Sequence, residues 1–223
     1  VGMLNAFYAL KGKYADKKKL ADEAIYLERN LCQEAGGWQD QIAASFGGFN
    51  RIDFSSDGYL VRPVIMPMER KRQLNKNLLL FFTGFSRFSA DIAKEQETVT
   101  RNRTAELKEM LALVEEAEGV LSSKNDLSEF GRLLDFAWQI KRGITDKISN
   151  HFIDGLYEKA KKAGALGGKL LGAGGGGFLL FYVDYDRQEA FKKQFLDLLH
   201  VPFAFEDGGT RVLYYKAEDY EIN

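Results

Sequence analysis

Cysteine is almost absent from this chain. Cys32 is the single cysteine among 223 residues, which excludes an internal disulfide and a cysteine-based zinc site and fits a reducing cytoplasm. Histidine is scarce too. His151 and His200 are the only two, far apart in sequence, so no histidine metal cluster is expected. Charge of one sign is also lacking: 31 basic residues stand against 32 acidic ones. No block of like charge points to nucleic acid or an anionic membrane, and Lys17-Lys18-Lys19 reads as the solvated start of a helix. No apolar stretch is long enough to span a bilayer, and no signal peptide is expected. What the chain does have is apolar bulk. Hydrophobic residues make up 45% of it, with 17 Phe, enough for a sizeable core in one large or two modest domains.

Hydrophobic periodicity predicts helices over Val1–Leu10 and Lys17–Glu34, the second with Asp16 as N-cap. The first has no capping residue before it, from which sequence upstream of Val1 is expected. Gly36 to Gln41 reads as a loop. Phe49–Phe54 and Tyr59–Val64 read as a hairpin around Ser55–Gly58. After a polar stretch, Glu69–Lys76, which marks the expected boundary, comes a strand over Leu78–Thr83. Helices follow over Ser89–Thr100, Thr104–Leu121, Leu127–Ser149 and Ile153–Ala163. Strand Phe178–Val183, helix Arg187–Leu199 and strand Arg211–Lys216 close the pattern. Together these predict an α+β sandwich, helices on one face of a mainly antiparallel sheet.

The most informative run is Gly172-Ala-Gly-Gly-Gly-Gly177, with glycine at five of six positions. Glycine costs conformational entropy, so such a density needs a reason. A strand crossing a crowded core is one. A loop whose N–H groups face a phosphate is the other. No Gly-Lys-Ser/Thr follows, and no helix, so the run is neither a P-loop nor a dinucleotide fingerprint.

Helical phasing singles out two charges. Glu28 falls within the apolar arc of Leu20, Ala21, Ala24, Ile25 and Leu31, where an unpaired carboxylate is expensive. A salt bridge to another helix or a bound cation would satisfy it. Lys141 sits in the apolar face of Leu127, Phe130, Leu134, Ala137 and Ile144. It either snorkels or faces a substrate phosphate. Asp40 follows the glycine turn Gly36-Gly37; a turn or helix cap would explain it, as would a carboxylate for proton removal beside a metal-binding Glu28.

These residues together resemble the GHMP kinase superfamily, small-molecule kinases that include galactokinase, homoserine kinase and mevalonate kinase. The glycine run, with Gly172, Gly174, Gly175 and Gly176, is similar to the third motif of that family, a loop at the nucleotide phosphates. Gly37-Trp-Gln-Asp-Gln41 is similar to the segment carrying the catalytic Asp, which implies Asp40 as base. Glu28 matches the magnesium-binding Glu. Within the superfamily the segments Gln39–Asp53, Thr83-Gly-Phe-Ser-Arg87, Ile92-Ala-Lys-Glu-Gln96 and Lys169-Leu-Leu-Gly172 resemble bacterial D-glycero-D-manno-heptose phosphate kinases. Trp38-Gln-Asp-Gln41 also resembles L-fucose kinases.

The resemblance implies the GHMP kinase fold: the remainder of an N-terminal domain over residues 1–72 and a ferredoxin-like α/β sandwich over 73–223. It implies ATP and Mg²⁺ as cofactors and a sugar or sugar phosphate as the partner, with no nucleic acid or membrane. The implied reaction is transfer of phosphate to the anomeric hydroxyl of a heptose 7-phosphate; an L-fucose or other hexose kinase, or a non-catalytic relative, are the alternatives. Arg87 and Lys141, ahead of Arg51 and Lys169, are the implied partners of the phosphate on the sugar. The family's phosphate loop, Pro-x-x-x-Gly-Leu-Gly-Ser-Ser, would precede Val1, so this chain alone is expected to show no turnover.

Overall fold

The computed structural model describes residues 1–84, 99–100, 102–172 and 175–216. The chain divides into two units: Val1–Pro63 with the segment from Phe205 onward, and Val64–Ala204.

In the first unit, α1 (Gly2–Leu10) is followed by α2 (Lys17–Tyr26). Asp16 caps α2 as expected, its carboxylate accepting the Lys19 N–H at 2.7 Å. The helix does not run regularly to Glu34. It passes into a π-helical turn over Leu27–Leu31, the kind of local irregularity that re-aims side chains at functional positions. The predicted loop is shorter than expected, because α3 (Gln39–Phe46) begins within it. The hairpin forms as read: β1 (Asn50–Ser55) pairs antiparallel with β2 (Gly58–Pro63). Ala21 and Ile25 of α2 bury against Ile42 of α3, with Ile52, Tyr59 and Val61 of the hairpin packed around them.

The chain returns to this unit at the end of α3. Gly47 stops the helix at φ +62°, and a Cβ there would lie 2.0 Å from the Gly209 backbone nitrogen. Gly48 N–H donates to the Glu206 carbonyl at 2.7 Å, and Thr210 N–H to the Ala44 carbonyl at 2.9 Å. The Lys17 ammonium bridges the carbonyls of Phe46 at 2.6 Å and Gly208 at 3.0 Å. The strand expected over Arg211–Lys216 is not formed. Its apolar residues lie along α1 instead, lining an open groove of about 790 Å³, and no described strand pairs with it.

In the second unit the polar stretch read as a boundary is a helix, α4 (Met68–Asn77), with Leu74 and Asn77 buried. It runs directly into β3 (Leu78–Phe82). Then follow α5 (Thr104–Ser122), α6 (Ser128–Arg142), α7 (His151–Lys162), β4 (Gly167–Leu171), β5 (Phe178–Tyr182), a 3₁₀ turn (Tyr185–Arg187), α8 (Gln188–Lys193) and β6 (Leu199–His200). The helix expected over Ser89–Thr100 lies largely outside the described residues. The one expected over Arg187–Leu199 is confined to α8 and flanking turns.

The sheet has the order β4-β5-β3-β6, and every pairing is antiparallel. Side chains alternate across it. Leu79, Phe81, Leu170, Leu179 and Phe181 face a core shared with Trp138, Tyr157, Phe191 and Phe195. Helix α6 ends at Arg142 rather than Ser149, because Gly143 caps it. Ile144 and Ile148 continue the apolar spacing and are buried, but an irregular segment carries them.

Strand β4 was not among the expected elements. Gly167 is there because α6 lies against it, and Gly168 because β5 does. A Cβ on Gly167 would be 2.0 Å from the Gly131 carbonyl and 2.6 Å from the Asp135 nitrogen, and one on Gly168 would be 2.3 Å from the Leu180 carbonyl. Asp135 fastens the contact, accepting hydrogen bonds from Tyr157 at 2.6 Å and Lys161 at 2.8 Å.

Gly167→Ala is therefore expected to destabilise the protein by about 1–3 kcal/mol, the usual cost of overpacking. Gly119→Ala, at a helical site where a Cβ meets nothing within 4 Å, should stabilise it by about 0.5–1 kcal/mol. Urea unfolding midpoints of the two variants check both signs.

Candidate functional site

The sequence-derived site residues fall into two groups, one in each unit. In the first unit, Asp40 stands in the first turn of α3, where a carboxylate also complements the helix dipole. It is exposed and has no hydrogen bond or ion pair to a described residue. Its neighbour Gln41 is buried, and the Gln41 amide nitrogen donates a short hydrogen bond to Glu28 Oε2. Glu28 itself is half-buried in the π turn. The partner of Glu28 is thus an amide from the Asp40 helix rather than a cation from another helix. Gln41 ties the two carboxylate-bearing elements together, a role that sequence reasoning missed. Its signal was present: a glutamine adjacent to the candidate base on the inward side of a short helix.

Two acceptors in this cluster are unused. Gln41 Oε1 is buried without a partner, and Glu28 Oε1 has none among the described residues. The bond from Gln41 Nε2 fixes which end of the amide is oxygen. The free oxygen of the Glu28 carboxylate is the one that could hold a hard cation, and Mg²⁺ characteristically takes one or two protein carboxylates and completes its shell with water and substrate phosphates. Among the described residues no group of three or more His, Cys, Asp or Glu could hold a metal by itself. Arg51 is committed elsewhere, its guanidinium 2.7 Å from Asp53.

In the second unit, the glycine run leaves β4 at Gly172, which is exposed and adopts φ +93°. Gly174 lies outside the described residues. Gly175 and Gly176 are buried. Gly175 N–H donates to the Ile148 carbonyl at 3.0 Å, and Asn150 donates to the Gly175 carbonyl at 3.0 Å. Gly177 N–H donates to Thr83 Oγ1 at 3.0 Å. The amides of Gly175 and Gly177 are therefore used inside the unit, and among the described residues of the run Gly172 is the exposed one.

Lys141, in the last turn of α6, reaches that point. Its ammonium lies 3.4 Å from the Gly172 carbonyl at an exposed position. Desolvation of the ammonium by burial, and secondarily the positive charge of Lys169 on β4, bring its pKa down from 10.5 to about 8. Burial likewise lowers the pKa of Lys169. Arg87 lies outside the described residues.

Comparison with known proteins gives a consistent picture. Residues 110–199 match the family model for the GHMP kinases C-terminal region. The chain is 29% identical over 204 residues to a D-glycero-alpha-D-manno-heptose 7-phosphate kinase of Campylobacter jejuni, covering 87% of this chain and 59% of that protein. It is 29% identical over 171 residues to the bifunctional fucokinase/GDP-fucose pyrophosphorylase of Arabidopsis thaliana, covering 73% of this chain and 16% of that one. Among solved structures, a D-glycero-D-manno-heptose 1-phosphate kinase from Bacteroides thetaiotaomicron superposes with a TM-score of 0.65 at 26% identity, over 92% of this chain and 58% of that one. Lactococcus lactis galactokinase gives a TM-score of 0.71 at 19% identity, over 93% of this chain and 64% of that one, a likeness of fold. The α+β architecture is the GHMP kinase fold, and the chain spans about 59% of the Campylobacter relative's length. No described helix is long and apolar enough to cross a membrane.

A carbon-13 titration of the lysine Cε resonances should find one lysine with a midpoint near 8 instead of the ordinary 10.5. In Lys169→Met that midpoint should move upward, because a neighbouring positive charge has been removed.

Proposed function

We propose that this chain, similar in sequence and fold to the GHMP kinases, is the larger part of an ATP-dependent sugar kinase whose acceptor is the anomeric hydroxyl of a heptose 7-phosphate. The observation that carries the reading is the Gln41 bond. It holds the helix of an unpaired, exposed Asp40 against Glu28, as a reaction needing a base beside a cation site requires. Phosphoryl transfer asks a protein mainly for positioning and charge neutralisation.

In this reading Asp40 accepts the hydrogen bond of the sugar hydroxyl and takes its proton as the oxygen bonds to the γ-phosphorus of ATP and ADP departs. Glu28 would hold Mg²⁺ with support from Gln41. The ion, when bound, neutralises charge on the transferring phosphates. Its half-buried position keeps Glu28 from swinging into solvent, so the carboxylate is already oriented. The glycine run shapes the site beside Gly172. Lys141 and Arg87 are assigned to the phosphate the sugar already carries. Similarity to fucokinases from Arabidopsis and Bacteroides fragilis supports the second reading, an L-fucose or other hexose kinase, in which no phosphate on the acceptor is needed.

In the intact protein, Asp40→Asn should leave ATP binding in place and lower turnover by about 10²–10⁴-fold; turnover at the wild-type level would remove Asp40 from the mechanism. Parallel assays on heptose 7-phosphate, free heptose and L-fucose separate the two readings. Heptose 7-phosphate should have by far the highest kcat/KM. A preference for L-fucose would overturn that assignment and leave the hexose-kinase reading.

A further inference from the structure

We infer that Glu206 is a positioning residue for Asp40: its carboxylate shapes the loop Glu206–Thr210, and that loop sets where α3 lies. The inference rests on the reading above only for what Asp40 does to substrate.

An α-helix leaves the carbonyls of its last turn without partners of its own. In α3, eight residues long, those carbonyls are a large share of the whole, and a helix this short does not hold its shape unaided. Its own chain supplies one partner, the Gly47 N–H, 2.9 Å from the Ala43 carbonyl. Others come from outside the helix. Thr210 N–H donates to the Ala44 carbonyl at 2.9 Å. The Lys17 ammonium donates to the Phe46 carbonyl at 2.6 Å and to the Gly208 carbonyl at 3.0 Å. Just past the helix, Gly48 N–H donates to the Glu206 carbonyl at 2.7 Å. A segment far along the chain thus serves as the C-cap of α3. At the other end, Trp38 makes no side-chain capping bond, and the anchor is Gln41 through Glu28.

The Glu206 side chain gives the loop its shape. One carboxylate oxygen accepts the Gly208 N–H at 2.7 Å and the other the Gly209 N–H at 2.8 Å. These bonds, Gly209 ahead of Gly208, hold the Glu206 carboxyl below the ordinary carboxylate range. The turn they close puts Gly209 at φ +63° against the helix end, where a Cβ would be 2.4 Å from the Ser45 carbonyl oxygen. Glu206 is exposed, so its removal opens no cavity and water takes over the two amides. What is lost is the conformation that brings the Gly208 carbonyl to Lys17 and the Thr210 N–H to α3. Asp40 stands one turn before Ala44, so loosening of the capped end reaches the base. A misplacement of about 1 Å from a change far from the chemistry can cost about 10²-fold in rate.

Hydrogen exchange of the backbone amides reads α3 directly, in the intact protein and in Glu206→Ala, Glu206→Gln and Lys17→Met. Exchange at Ala44, Ser45, Phe46 and Gly47 should speed up about five- to ten-fold in Glu206→Ala and in Lys17→Met, with the hairpin amides unchanged. Glu206→Gln keeps one acceptor oxygen and should fall between. Gly167→Ala, destabilised in the other unit, should leave α3 exchange as it is, which separates a local effect from general loss of stability.

In the same proteins, Glu206→Ala should lower kcat about ten-fold or more with the KM for ATP little changed, and Glu206→Gln should restore part of the loss. Wild-type exchange across α3 in Glu206→Ala would overturn the inference. So would faster exchange with wild-type kcat in a protein whose turnover needs Asp40, since the helix would then be loose without consequence. Local loosening of α3 in a protein that phosphorylates no sugar would keep the hold of the loop on the helix and sink the kinase reading. Turnover lost in Asp40→Asn, with Glu206→Ala indistinguishable from wild type, would do the opposite.

Discussion

The close approach of α6 to β4 is the constraint on which the second unit depends. A helix carries side chains that normally hold it away from a sheet. Here Gly131 on the helix faces Gly167 on the strand, and a Cβ on the strand residue would reach within 2.0 Å of the helix carbonyl. Part-buried hydrogen bonds from Tyr157 and Lys161 to Asp135 tie α7 to this helix, and Tyr157 also donates to the Gly168 carbonyl of β4 at 3.3 Å. Burial alone would raise the Asp135 pKa, yet the bonds from Lys161, Tyr157 and Gln139 outweigh it and the pKa falls. Its charge thus supports the fold above the ordinary carboxylate range and is lost as acid protonates it.

One consequence is positional. With α6 against β4, the end of the helix and the exit of the strand arrive at the same place, and Lys141 meets Gly172. The glycines of this region do different work at different positions. Gly167 and Gly168 admit a neighbour. Gly172, at φ +93°, turns the chain out of the strand. Gly175 is buried, with its amide spent on Ile148. The run is therefore partly a crowded-core device and partly an exposed turn beside Lys141.

The first unit obeys a second constraint, a polar one. Glu28 and Gln41 are both withdrawn from solvent, and each supplies what the other needs: an acceptor for an amide nitrogen, a donor for a carboxylate. The π turn at Leu27–Leu31 positions Glu28 for this contact. The unused oxygens of the pair distinguish it from a closed structural bond, since a buried amide oxygen left without a partner costs free energy.

Sequence alone determined the elements with strong local signals. The Asp16 cap, the hairpin around Ser55–Gly58, β3, β5 and the amphipathic helices α5 and α7 follow from capping chemistry and period-two or period-3.6 spacing, which act over a few residues. It also marked Glu28 and Lys141 as charges on apolar helix faces, and Asp40 as the carboxylate after a glycine turn. Tertiary structure decided what local signals do not encode. Strand β4 is legible only once α6 is packed on it, because its glycines answer a neighbour far along the chain. The end of α6 at Arg142 was hidden because Ile144 and Ile148 keep helical spacing while an irregular segment buries them. The segment Arg211–Lys216 has strand-like composition but no described strand to pair with, and Glu206, Gly208 and Thr210 just before it are bonded to Gly48, Lys17 and Ala44. The partnership of Glu28 with Gln41, and of Lys141 with the Gly172 carbonyl, depends on which faces of separate elements are brought together. That is a property of packing, and packing joins residues that sequence spacing leaves unrelated.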